Sequence, residues 1–403
     1  MKRLDWFFMA SLFSLIGIGI MLVYSTTNSA GVIWHKTEWF KQIIHFAAGS
    51  IIAVVIIFLP AKIWKSITPI FYAISIILLI LVMNSGHMSK GAGRWLDIAG
   101  FRFQPSEFAK IAYLLASSLW LSKRKVSLER PQTLLVPGLL FMVPFLLVLK
   151  QPNLSTALVF TAMTIVHFYW AGFRIVDLFL LASPLFSVIL SAISAIYWNS
   201  FIIVVFFLSL KFRFPIWIII TVMVLNIGTG YVSQIAWNSM EDHQKNRIIT
   251  FLDPTQDPKG KGYQVIQSQV AIGSGGILGK GFGEGSQTNL AFLPEEHTDF
   301  IFSVLCEQFG FMGAFFVLLL FLILIWRSIM ICRLHSDGFV NLVVAGACTI
   351  LLFHTVVNVA MTVGFMPVTG LPLPFLSYGG SFVLTCMILV GLLISMRLKG
   401  EDT

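Results

Sequence analysis

Charge is what this sequence has least of. Lys, Arg, Asp and Glu make up 11% of its 403 residues, against 57% hydrophobic residues and a mean hydropathy of +0.87, which excludes a soluble domain of this length. Cysteine is scarce as well. Cys306, Cys332, Cys348 and Cys386 lie in or beside apolar stretches without CxxC spacing, so neither a zinc site nor a disulfide framework is indicated and they read as packing residues. The apolar windows recur from Asp5 to Met396 with no soluble domain between them, which leaves a single membrane domain over 1–403. The net charge of +9 does not point to nucleic acid, because the basic residues cluster in short connections such as "SKRKVSLER" (122–130). That distribution is a topology signal.

What is present in abundance is apolar sequence in windows of about 20 residues, the length that crosses a bilayer as a helix. Such windows run over 6–26, 41–60, 66–84, 106–121, 133–150, 154–171, 175–197, 199–211, 214–233, 300–326, 339–365 and 377–396. The first continues to Tyr24 without a small-residue cleavage site, so it reads as a span and not as a secretory signal. With the N-terminus inside, the connections carrying Lys62 and Lys65, Lys123 to Arg130, Arg174, Lys211 and Arg213, Arg327 and Arg333, and Arg397 and Lys399 all fall inside. Segments 27–40, 85–105 and 234–299 fall outside, so that Ser268 is external and Ser127 internal. The 199–211 run is short for a bilayer; with 214–233 it forms either an added hydrophobic hairpin (199–233) or a re-entrant excursion. The 234–299 stretch exceeds ordinary connections, and its interleaved apolar residues predict an ordered loop.

Ionisable groups inside or beside lipid are costly and therefore mark candidate sites. In "FQPSEFAKIAYLL" (103–115), Pro105 suits a first helical turn and Glu107 and Lys110 share a face; spacing alone leaves a functional pair and a structural ion pair equally open. In "FLPEEHTDFIF" (292–302), helix capping by Thr298 or Asp299 would explain one polar residue, though not Glu295, Glu296 and His297 as well. Asp299 lies nearest the apolar run and is the best placed for partial desolvation and general-base work. The segment "AIGSGGILGKGFGEGSQ" (271–287) lacks the GxxxxGK[ST] spacing and a preceding strand, so it reads as a tight turn or as backbone approaching a lipid pyrophosphate. Arg247, Lys259 and Lys261 could meet an anionic headgroup or be simply solvated. In "GFMPVTGLPLPFLSYGGS" (364–381), closely set prolines and glycines break helix at the outer mouth of two spans, which is tolerated where backbone is buried in protein or lines a cavity.

Taken together, "FQPSEFAK", "GYQVIQSQVAIGSGGILGKGFGEGSQTNLAFLPEEHTDFIFSV" and "MPVTGLPLPFLSYGGS" resemble the SEDS family of cell-wall polymerases, its rod-shape branch more than its division branch. The resemblance runs over essentially the whole chain. It implies an all-α polytopic membrane protein with ten core spans, the 199–233 hairpin being additional, and multi-pass insertion in the bacterial cytoplasmic membrane with both termini inside. It also implies a peptidoglycan glycosyltransferase that joins lipid II at the outer face and expels undecaprenyl pyrophosphate, with a class B penicillin-binding transpeptidase as partner. Asp299 takes the family's catalytic position, and Glu107, Lys110, Arg94, Arg102, His297, Lys280 and Ser377 are candidates for substrate binding. Lys110, Arg94, Arg102 or a divalent cation (Mg²⁺ or Mn²⁺) would stabilise the leaving pyrophosphate, with no organic cofactor. The family commonly has QPDLGTA where this chain reads "QPNLSTA" (151–157), which removes a negative charge at Asn153. The competing classes are a lipid II flippase and a non-catalytic scaffold. Neither an inverted repeat nor a site open to both faces is visible in the sequence, and a scaffold needs no boundary carboxylate.

Overall fold

The computed structural model describes residues 5–27, 34–85, 87–89, 92–98, 101–123, 127–128, 130, 132–239, 261–286 and 295–399. A bilayer core offers backbone amides and carbonyls no water, so a spanning chain satisfies them within helices. The apolar windows form α1 (Trp6–Thr27), α2 (Glu38–Ile57), α3 (Ala61–Ser85), α4 (Pro105–Leu121), α5 (Gln132–Lys150) and α6 (Leu154–Trp170). They continue as α7 (Ile175–Ile193), α8 (Ala195–Lys211) and α9 (Ile216–Ser239). The long loop contributes α10 (Lys261–Ser274), before α11 (Ile301–Ile329), α12 (Gly338–Thr362) and α13 (Gly380–Lys399). Among the described residues, nine helices are long and apolar enough to cross a membrane, and α6 and α8 are shorter apolar helices. The chain is a multi-pass membrane protein.

Polar side chains mark the helix starts. Asp5 Oδ1 accepts from the Phe7 and Phe8 amides, Asp337 Oδ1 from the Phe339 amide and Asn153 Oδ1 from the Thr156 amide. The cap at Asn153 needs an acceptor and no charge, so Asn fills a position where the family commonly has Asp. Ser155, the neighbouring departure, donates its hydroxyl to Thr369 O at 2.5 Å.

Helices α4, α12 and α13 lie at the centre, with α13 packed along α2 and α12 against α4 and α6. Ion pairs fasten one face of the bundle. Asp5, at the start of α1, binds Arg327 near the end of α11 and Arg397 near the end of α13, while Lys65 in α3 binds Asp337 at the start of α12. These are the ends that the basic connections assign to the inside.

The 199–211 run is part of a continuous helix that begins at Ala195, joined to α7 by Ser194 alone. Helices α7, α8 and α9 pack on one another around Leu180, Val205, Phe214, Ile218, Ile219 and Val222, a core separate from the main one. Between α7 and α9 runs a polar seam: Ser187 Oγ donates to Asn226 Oδ1 (2.6 Å), Asn226 Nδ2 donates to Ser183 Oγ (2.8 Å), and Ser191 meets Ser233 (2.6 Å).

The 85–105 connection holds an element that the sequence reading did not anticipate, an antiparallel sheet of β1 (His87–Ser89), β2 (Ala92–Ile98) and β3 (Phe101–Phe103) in that order, with Asp97 opposite Arg102. Arg94 in β2 donates to the carbonyls of Gln151 and Pro152, just beyond α5. Ser381 in α13 donates to Arg102 O and accepts from the Gln104 amide, joining β3 to the starts of α4 and α13.

Candidate active site

The segment 364–379 between α12 and α13 is irregular, and Pro367, Pro372 and Pro374 within it have no amide hydrogen to give. Leu373, Phe375, Leu376 and Ser377 are nonetheless fully buried, so its backbone groups need partners from the surrounding helices. Gln42 of α2 donates to Ser377 O (3.0 Å) and accepts from the Gly379 amide (3.4 Å). Asn358 and His354 of α12 meet Leu371 O (2.8 Å) and Pro372 O (3.2 Å).

Onto this segment docks the turn 295–300. Three consecutive carbonyls of the turn are taken up: His297 O accepts from the Tyr378 amide (2.8 Å), Thr298 O from Ser377 Oγ (2.6 Å) and Asp299 O from Asn358 Nδ2 (2.9 Å). Asp299 is thus positioned through its main chain. Its side chain is half-buried, and Oδ2 lies 3.5 Å from the point that a Cβ on Gly370 would occupy. Gly370 has φ +72°, where other residues are strained, so both its conformation and its lack of a side chain leave room beside the carboxylate. Phe300 holds the N-cap position of α11 with no side-chain cap. The Thr298 hydroxyl points back to Glu295 O (3.2 Å), so Thr298 does not cap α11.

The acid that is most enclosed here is Glu296 and not Asp299. Burial, with repulsion from the Glu307 carboxylate, pushes the Glu296 carboxyl from 4.5 up to about 8. A carboxyl that titrates higher in the folded protein than in the unfolded chain binds its proton more tightly when folded. Stability therefore falls as pH rises from near 4.5, and the contribution is gone above about 8. Thermal unfolding of the detergent-solubilised protein should show this decline, and Glu296→Gln, which mimics the protonated acid at every pH, should flatten it and exceed the parent at the alkaline end. An unchanged pH profile in the Gln variant would refute the assignment.

The other candidates fall into separate groups. Glu107 and Lys110 form an ion pair of 2.9 Å, with Lys110 completely enclosed. Lys110 Nζ also lies 3.0 Å from His354 Nε2 and 5.5 Å from the centre of the Phe382 ring. Lys280 pairs with the buried Glu307 (2.9 Å) and bonds to Ser286 (2.7 Å). Arg94 is spent on the carbonyls beyond α5, whereas Arg102 is exposed on β3. Ser377 is fully buried and acts between two stretches of backbone; His297 is half-buried, its ring 5.9 Å from that of Tyr378.

Within the glycine-rich piece, the amides of residues 279–281 are taken up inside the protein. The amides of Gly279, Lys280 and Gly281 donate to the carbonyls of Gly275, Glu307 and Gln308, and the carbonyls of Gly276 and Ile277 accept from the Phe311 and Met312 amides. This exchange occurs where Gly310, at φ +63°, interrupts α11, and a Cβ on Gly279 would lie 2.2 Å from Gln308 O. Arg247, Lys259 and the side chain of Lys261 lie outside the described residues. His354, Asn358 and Gln42 went unrecognised in the sequence. Their signal was present as polar side chains inside apolar helices, one helical turn apart for the α12 pair.

Fold and site together define a polytopic membrane protein with an acidic side chain presented at the bundle mouth by irregular, protein-enclosed backbone. The chain belongs to the cell cycle protein family of FtsW, RodA and SpoVE, matched over residues 5–200 and 194–401. It is 35% identical to the peptidoglycan glycosyltransferase MrdB of Escherichia coli K12 over 94% of this chain and 90% of that one. It is 33% identical to the peptidoglycan glycosyltransferase RodA of Treponema pallidum over 98% of both, and 32% identical to a probable peptidoglycan glycosyltransferase FtsW of Trichlorobacter lovleyi over 95% and 90%. Among solved structures it is similar to a chain from a peptidoglycan synthase complex that coordinates polymerization and crosslinking, with TM-score 0.73, 27% identity and 99% coverage of each chain. The fold also matches that of the Thermus thermophilus rod shape determining protein RodA, with TM-score 0.63, 24% identity and coverage of 98% and 96%.

Proposed function

We propose that this protein is a peptidoglycan glycosyltransferase that joins lipid II into glycan strands at the outer face of the bacterial cytoplasmic membrane, serving elongation and rod shape. The observation that carries the reading is the Asp299 turn, stitched by three successive carbonyls to the segment around Gly370 at the bundle end opposite the basic connections. A sugar hydroxyl of one lipid-linked disaccharide attacks the anomeric carbon of another glycan; its proton passes to the Asp299 carboxylate and undecaprenyl pyrophosphate leaves. Of the candidate cations among the described residues, Arg102 is exposed on β3 and is proposed to meet that pyrophosphate, whereas Lys110 and Lys280 are engaged by Glu107 and Glu307.

Among the described residues no three His, Cys, Asp or Glu side chains converge, so a divalent cation here would be held by Asp299 together with substrate oxygens. When bound it would supply charge for the pyrophosphate. A class B penicillin-binding transpeptidase is the proposed partner, supported by the similarity to a chain of a synthase complex that couples polymerization to crosslinking. The order of relatives favours elongation over division, MrdB and RodA standing above FtsW.

Purified protein given labelled lipid II should form glycan chains without ATP. Movement of lipid across vesicles without polymer would make it a flippase, and neither activity would leave a scaffold.

Orientation is tested by cysteine labelling. Ser268, an external loop position on sequence grounds, is fully buried and bonded to Ser303 and Thr362 O, so it is a poor probe. Exposed Glu284 replaces it, and exposed Lys123 replaces half-buried Ser127 as the internal position. In intact spheroplasts of a strain lacking other reactive cysteines, Glu284→Cys should react with an impermeant maleimide and Lys123→Cys should not; reversed labelling would overturn the orientation.

A further inference from the structure

We infer that His354 is a positioning residue that ties the Glu107–Lys110 pair of α4 to the segment that shapes the surroundings of Asp299. Pro372 O can only accept, so the proton of the His354 ring sits on Nδ1, which is 3.2 Å away. That leaves Nε2 as an acceptor for the Lys110 ammonium at 3.0 Å. The ring is held flat by stacking on Phe382, centroids 4.6 Å apart and 26° between planes. Lys110 is in turn anchored by Glu107 at 2.9 Å.

One turn further along α12, Asn358 donates to Leu371 O (2.8 Å) and to Asp299 O (2.9 Å). Side chains of one helix therefore hold the adjacent carbonyls of Leu371 and Pro372, and Gly370, beside Asp299 Oδ2, is the next residue in the chain. The route from α4 to the carboxylate consists of direct contacts: Glu107, Lys110, His354, Pro372, Leu371, Asn358, Asp299. Releasing Pro372 shifts Gly370 and with it the space next to the carboxylate. Lys110 acts here through His354 on backbone, without reaching substrate.

The activity arm of the test rests on the glycosyltransferase reading, so a second readout independent of activity accompanies it. His354→Phe keeps ring bulk and loses both hydrogen bonds. His354→Gln keeps an acceptor for Lys110 and a donor for Pro372 O. In His354→Phe the polymerisation kcat should fall by about 10-fold or more with KM for lipid II changed by less than about twofold, the signature of a misplaced reacting group. His354→Gln should recover to within about threefold of the parent, because a shift well below 1 Å is tolerated. Hydrogen exchange of the peptide spanning 366–378 should be faster than the parent's in the Phe variant and like the parent's in the Gln variant. Unchanged exchange in His354→Phe would overturn the inference whatever the assay shows. Gln and Phe variants that behave alike, or a loss of activity that follows a loss of thermal stability in both, would overturn it as well. A parent that forms no glycan refutes the glycosyltransferase reading and leaves the exchange comparison to decide the role of His354.

Discussion

Asp299→Asn is expected to lower glycan polymerisation by about 10²-fold or more, the scale of a lost general base, while thermal unfolding stays close to that of the parent. The structure separates these two effects. The bonds that place residue 299 run through the main-chain carbonyls of His297, Thr298 and Asp299, which Asn retains. The N-cap position of α11 is held by the next residue, Phe300. Asp299→Glu should be nearly as impaired: one more methylene moves the carboxylate along the edge of Gly370, only 3.5 Å from a Cβ at that residue, and the attack geometry tolerates about 1 Å. Titrating Mg²⁺ or Mn²⁺ against the Asn variant distinguishes a base from a ligand, since rescue by excess metal would recast Asp299 as a metal-binding group. Near-parental synthesis by Asp299→Asn without added metal would remove it from the chemistry.

Lys110→Met should destabilise the protein by about 3–5 kcal/mol, the cost of stranding a buried charge when its partner is removed. Glu107 and Lys110 are both buried, and the Lys110 ammonium has Glu107 and His354 within hydrogen-bonding distance and the Phe382 ring beneath it. Met preserves the length of the chain and none of its charge. The control is the double variant Glu107→Gln, Lys110→Met, in which no charge is left unpaired. Its thermal unfolding should return most of the way to the parent, because an enclosed ion pair and a neutral replacement of similar volume have comparable stability. A single variant as stable as the parent would mean that water or another group compensates Glu107. A double variant no better than the single one would show that the loss lies in packing.

Much of this arrangement could be read beforehand, for a physical reason. Lipid rewards long apolar runs so consistently that each of the twelve windows corresponds to a helix, the largest boundary errors being the end of α9 at Ser239 and the start of α3 at Ala61, where the helix runs on past its apolar window into polar residues. Asp299 could be singled out because a carboxylate entering lipid is costly wherever it occurs. The three-stranded sheet could not, because strands of three to seven residues carry too few alternations to stand out. The roles of His354 and Asn358 were hidden as well: their one-turn spacing in an apolar helix marks a polar face without saying what it meets, and their partners lie 13 to 244 residues away in the chain. The glycine-rich piece stayed open between a tight turn and backbone approaching a pyrophosphate for a related reason. Unusual backbone angles are visible in composition, but where the freed amides point depends on Gly310 opening α11 to receive them.

The polar seam between α7 and α9 acts as a vernier. Apolar helices in lipid attract each other at many longitudinal offsets of similar energy, because hydrocarbon is as good a neighbour as leucine. Asn226 seated between Ser183 and Ser187, with Ser191 on Ser233 further along, matches at one offset, and sliding by a turn would leave amide and hydroxyls facing hydrocarbon. Leucine at position 226 would keep the helices adjacent but remove the main graduation on that scale, leaving Ser191 on Ser233 and the Thr229 hydroxyl on Pro184 O to say how far along each other they stop.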